Sequence, residues 1–166
     1  MNVYKKAAGL LAAAGAVIVS LLATAAPAQA YGSELNAMYE SVDTSTCPCT
    51  LYDQIDNTYF AKDSGGLAVK AQLWTRNGDV AKVEFHPYDQ KLWIYDAAND
   101  GDTVYVTLYT ARKGWSAIYY APGTSKDVDK NVIDFSSWLN EGEDVLVRIS
   151  DNSDGTDVIA TAWGRA

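Results

Sequence analysis

The stretch Leu67-Ala68-Val69-Lys70-Ala71-Gln72-Leu73-Trp74, followed by Asn77-Gly78 and then Val80-Ala81-Lys82-Val83-Glu84-Phe85-His86, decides the fold. Leu67, Val69, Ala71 and Leu73 alternate with Ala68, Lys70, Gln72 and Trp74, the two-residue period of a strand whose faces differ. Asn77-Gly78 offers the positive-φ pair that a two-residue hairpin turn uses. The return run sets Ala81, Val83 and Phe85 against Val80, Lys82, Glu84 and His86. An antiparallel hairpin is predicted, apolar on one face and polar on the other.

The same period continues outward. Strands are predicted over 91–96, 103–110, 115–120, 144–150 and 158–163, with Asn99-Asp100-Gly101-Asp102 and Asn140-Glu141-Gly142-Glu143 as turns between them. About seven to eight short strands at this spacing predict an all-β fold over 65–166, an antiparallel β-sandwich or small barrel. Leu92 and Ile94 share a face, as do Val104, Val106 and Leu108. The opposite parity carries Trp93, Tyr95, Tyr105 and Tyr109. These four aromatics occupy positions where a half-solvated sheet would carry polar groups, and they are the candidate binding residues. Trp74, Trp115, Trp138 and Trp163 are assigned to the core.

The first 64 residues differ in character. Lys5 and Lys6 precede an apolar run from Leu10 to Leu22, and Ala26-Pro27-Ala28-Gln29-Ala30 ends it with alternating small residues. This is the pattern of a secretory signal over 1–30, too short in its apolar part for a span of about 20 residues. Residues 31–64 read as an N-terminal arm. Leu35, Met38, Tyr39 and Val42 follow the spacing of one helix face, with Ser33 as a cap, so a short docked helix is expected there. Cys47-Pro48-Cys49 follows. Outside the cell these thiols tend to oxidise, which favours a disulfide, either local or between molecules. A metal site is a weaker reading, since two cysteines and one distant histidine fall short of four ligands.

Composition limits the function. The formal net charge is −8, and loss of Lys5 and Lys6 takes it to −10. Nucleic acid and anionic membrane surfaces both need cationic contacts and are disfavoured. No Gly-x-Ser-x-Gly elbow, phosphate loop or dinucleotide motif occurs. His86 is the single histidine and reads as an exposed strand residue. Most of the 21 acidic residues sit in turns, where they bond their own backbone, and neither Asp-rich turn keeps the spacing of a helix–loop–helix calcium site. No catalytic residue, metal or cofactor is therefore assigned.

The run from Phe85-His86-Pro87-Tyr88-Asp89-Gln90-Lys91-Leu92-Trp93-Ile94-Tyr95-Asp96 to Asn99-Asp100-Gly101-Asp102-Thr103-Val104-Tyr105-Val106 looks like a recurring pattern. With Glu141-Gly142-Glu143-Asp144-Val145 and the closing Trp163-Gly164-Arg165-Ala166, it resembles small exported β-sandwich proteins of actinobacteria, mostly of unassigned function. Some similar proteins look like adaptor subunits of secreted antibacterial toxin particles, in which an N-terminal segment docks into a partner. The resemblance implies a secreted, non-catalytic adaptor binding another exported protein, with the arm as one candidate contact. A carbohydrate- or cell-wall-binding module is the alternative on the same aromatics. Inhibition of an extracellular hydrolase, through a loop such as 122–131, is a third.

Overall fold

The computed structural model describes residues 34–98, 100–123 and 128–166. The signal segment, Ser33 and Asn99 lie outside the described residues, as does the 124–127 part of the 122–131 loop. Twelve strands follow in chain order: β1 (Asn36–Asp43), β2 (Cys49–Leu51), β3 (Thr58–Phe60), β4 (Leu67–Thr75), β5 (Gly78–His86) and β6 (Lys91–Asp96), then β7 (Tyr105–Thr110), β8 (Gly114–Trp115), β9 (Tyr119–Tyr120), β10 (Asp129–Asp134), β11 (Asp144–Ser150) and β12 (Val158–Arg165). No α-helix occurs among the described residues; one 3-10 turn, Thr44–Thr46, sits between β1 and β2.

All the pairings are antiparallel, and ten strands form one curled sheet with a main path β10-β6-β5-β4-β12-β11-β7-β8. β1 pairs with β4 from Leu67 to Trp74, and β9 pairs with β7. A single residue pair, Arg165 with Leu67, joins β12 to β4 and so links the two halves of the sheet. The halves curl to face each other over one core. Val69, Leu73, Val83, Phe85, Leu92 and Ile94 enter it from one side, and Val106, Leu108, Val145, Val147 and Ile149 from the other. Each of these lies at the apolar parity of its strand, and their β-branched and aromatic neighbours suit a pleated surface. Gly164 sits at the seam, where a Cβ would stand 2.9 Å from the Leu67 carbonyl and 3.0 Å from the Phe85 ring. Only a residue without a side chain lets the two halves approach so closely there.

The predicted helix at Leu35, Met38, Tyr39 and Val42 is instead strand β1. Its 3.6-residue spacing exists, but a helix face needs an apolar surface to dock on. β4 offered a free edge of backbone donors and acceptors, and ladder pairing from Asn36–Trp74 to Asp43–Leu67 took it. The hairpin turn also lies one residue earlier than predicted. Thr75 pairs with Gly78, so Arg76 and Asn77 are the loop, and of the expected positive-φ pair only Gly78 adopts it, at φ 131°. The predicted strand 115–120 resolves into two short bridges, β8 and β9, each on β7.

Candidate functional site

The four candidate aromatics do not share one surface. β6 and β7 are separated by β5, β4, β12 and β11 along the sheet, so Trp93 and Tyr95 lie on the outer face of one half and Tyr105 and Tyr109 on the outer face of the other. The two faces have different fates.

The outer face of the β7–β11–β12 half is open. Cross-strand register puts Trp163, Leu146, Tyr109 and Trp115 in one row across β12, β11, β7 and β8. At the usual strand spacing the row runs about 14 Å. Its end residues are well exposed, Trp163 at 54% and Trp115 at 43%. The assignment of these two tryptophans to the core is thus overturned. Their neighbours explain why: Ala160, Ala162 and Gly164 hold the core parity of β12, which leaves Trp163 outside. A second row places Arg148 between Thr161 and Thr107. The Arg148 guanidinium lies 3.6 Å from the Trp115 ring centroid, a cation–π contact, and its Nε has no hydrogen-bond partner. Tyr105 packs on Tyr120 at 5.6 Å and Tyr109 on Trp115 at 5.0 Å. The charged residues at outward positions of β7, β11 and β12 are Arg148, Arg165 and Asp144, a net +1 on a chain of −8.

The other outer face is covered by the arm. After β1 the chain turns back, closes a Cys47–Cys49 disulfide around the cis Cys47-Pro48 bond, and lays the β2–β3 hairpin over β4 and β5. Of the readings left open for the two cysteines, the local bridge is the one formed. Cys47, Phe60 and Ala68 form a small second core there. Beside it is a buried ionic network. Lys82, with 0% of its side chain exposed, donates to Asp53 Oδ2 at 3.1 Å and to Glu84 Oε1 at 2.8 Å, and it is also bonded to Asp56 Oδ1. Lys70 reaches the same Asp53 oxygen at 3.1 Å. The Thr58 hydroxyl bridges the arm to Glu84, and His86 Nε2 lies 2.8 Å from Glu84 Oε2. His86 keeps only 14% of its side chain exposed. The exposed-strand reading of this histidine is therefore corrected: the polar face of β5 is a partner surface for the arm.

Electrostatics follow from this geometry. Burial pushes the Asp53 carboxyl up, but the Asp56 backbone N–H and the Lys70 and Lys82 ammonium groups outweigh it and hold the carboxyl well below its ordinary range. Glu84 is likewise raised by burial and brought below its usual value by His86, Lys82 and Thr58. Burial lowers Lys82, and bonds to Asp56, Glu84 and Asp53 more than reverse that, so the ammonium stays charged. The carboxylates of Asp53, Asp56 and Glu84 converge closely enough to hold a metal ion. The Lys82 ammonium already stands among them and supplies the positive charge that they need.

No protein-family model matches this chain, and no match was found among curated proteins or solved structures. The functional reading rests on the surfaces themselves. Trp163 and Trp115 were missed as surface residues because a tryptophan is usually core. Strand parity was the available signal, since Trp163 alternates with Ala160, Ala162 and Gly164.

Proposed function

We propose that this protein is an exported, non-catalytic interaction module that docks on another exported protein through the outer face of β7, β11 and β12. The observation that carries the reading is the uncovered row Trp163–Leu146–Tyr109–Trp115 with Arg148 beside it. Trp, Tyr and Arg are the residue types that most often dominate the energy of an interface. A flat row of this kind matches an extended partner surface better than a small molecule, which needs a concavity. The polar groups among the rings, Arg148, Thr107 and Thr161, offer hydrogen-bond donors and two hydroxyl acceptors to a partner but provide no general base. The export assignment rests on residues 1–30 of the sequence. The described part of the arm is committed to the chain's own sheet, so the docking element in this reading is the sheet face, with Tyr105 at its border.

The test is affinity capture of a tagged copy from native culture supernatant, followed by mass spectrometry, beside a Tyr109→Ala, Trp163→Ala double variant. The expected outcome is one stoichiometric exported protein, bound at least about tenfold more weakly by the variant, a loss of ~1.4 kcal/mol or more. Equal recovery by both forms would exclude this face as the docking site. If the wild type instead sediments with chitin, cellulose or peptidoglycan and the variant does not, the partner is a glycan and the protein-docking reading fails.

A further inference from the structure

A second candidate site, this one concave, lies on the opposite half of the sheet, between the arm hairpin and the β5–β6 turn. It is a cleft of about 280 Å3, at the lower end of the volumes that small-molecule sites occupy. Trp93 and Tyr95 line it from β6, Tyr59 from β3, and Tyr88 from the turn after β5. Tyr59 and Tyr88 are exposed, while Trp93 and Tyr95 are largely covered. Asp56 and Asp89 add half-exposed carboxylates. Asp56 is bonded to Lys82, yet a carboxylate has about four lone-pair sites, and acceptor capacity remains.

The charges around the cleft decide what it can hold. An anion would face Asp56, and beside it Asp89, whose charge Lys91 offsets at 2.8 Å. A cation would normally suit aromatic walls, but the ring faces are already taken by the protein's own lysines. Lys82 Nζ lies 4.4 Å from the Tyr95 centroid, and Lys130 Nζ lies 4.7 Å from that of Trp93 and 5.6 Å from that of Tyr95. A further cation would be repelled by both. A neutral ligand with a flat C–H face for the exposed Tyr59 and Tyr88 rings and hydroxyls for the carboxylates and tyrosine O–H groups meets neither obstacle. We propose that this cleft binds one neutral sugar unit. It is separate from the β7–β11–β12 face and does not depend on that face being a docking site.

The experiment is NMR titration of the 15N-labelled full chain with glucose, galactose, mannose and N-acetylglucosamine into the tens of millimolar, following the Trp93 indole and His86 ring signals. At least one neutral sugar is expected to shift them saturably. Glucosamine and glucuronate, its charged counterparts, are expected to bind at least about fivefold more weakly. A Tyr59→Ala, Tyr88→Ala variant, which changes only exposed rings, is expected to weaken binding about tenfold. Trp163→Ala on the far face is expected to leave it unchanged. The proposal is overturned if no neutral sugar shifts these signals, if a charged sugar binds as well as its neutral counterpart, or if the double tyrosine variant binds like the wild type. It is also overturned if Trp163→Ala abolishes the shifts, since that moves the sugar to the other face.

Discussion

Asp96 ends β6 with only 5% of its surface exposed, directly across the ladder from Asp129, which is as buried. Burial is the main cause that pushes its pKa up to about 6; the Ala98 N–H works against this, and the charges of Asp100, Asp129 and Asp102 add to it. A carboxyl raised in this way binds its proton more tightly folded than unfolded. Its own contribution to folding stability is therefore most favourable below its unfolded pKa, near 3.8, and declines as pH rises to about 6, after which the deficit is complete. Asn keeps the acceptor for the Ala98 N–H and carries no charge. Asp96→Asn is expected to stabilise the protein by about 1–3 kcal/mol near pH 7 and to change little near pH 3.5, where the wild-type carboxyl is itself neutral. Urea unfolding midpoints at the two pH values check this. Equal gains at both would show that charge is not the cause.

Among the elements, β12 has the most demanding contact. Its Gly164 lies where a methyl group would meet the Leu67 carbonyl, the Phe85 ring and, at 3.2 Å, Val69 Cγ2. The one ladder pair between the halves among the described residues, Arg165–Leu67, is the next residue along. Gly164→Ala is expected to cost about 1–3 kcal/mol through overpacking, read as a drop in the urea midpoint with little change in slope. A neutral result would mean that the seam is loose enough to admit a methyl group. The strands that carry the core were legible because each alternates over at least six residues. β1 was not, because Leu35, Met38, Tyr39 and Val42 satisfy a helical period and its strand neighbours are mostly exposed on both faces. β10 was hidden for a related reason: a six-residue edge strand, DKNVID, with mixed polarity carries little periodic signal. The open aromatic row was half legible. Tyr109, and Tyr105 at the border of that face, stood out by parity, while the partners of Tyr109 across the sheet are set by register, which the sequence of one strand does not encode. The ionic network could not be read at all, since Asp53 and Thr58 lie 29 and 26 positions from the Lys82 and Glu84 that they meet.

At the scale of the molecule, the arm and the sheet are held by different forces, and that difference is measurable. The main core is a large apolar cluster drawn from both halves, whereas the arm rests on Cys47, Phe60 and Ala68 together with the buried charges. Apolar burial does not depend on pH, but the network does. Asp53 and Glu84 are held below their ordinary values of 3.8 and 4.5, so their contribution is complete above about pH 4.5 and is lost as pH falls below it. When the arm lifts, Asp53 and Glu84 regain water, and so the contribution belongs to arm closure and not to the sheet beneath. Native-state hydrogen exchange is expected to show amides of β2, β3 and the loop between them opening at a lower free energy than those of β5 and β11. The gap is expected to widen on acidification from pH 6 to pH 3.5. Lys82→Met removes the cation and leaves two carboxylates buried without it, which is expected to lower the arm's opening free energy by about 3–5 kcal/mol near neutrality, and by less in acid, where the carboxylates protonate. The β11 amides, on the far half, are expected to change by much less. If arm and β11 amides instead exchange with one common free energy at every pH, the arm is part of a single cooperative unit, and the buried charges stabilise the whole fold and not the closure of the arm.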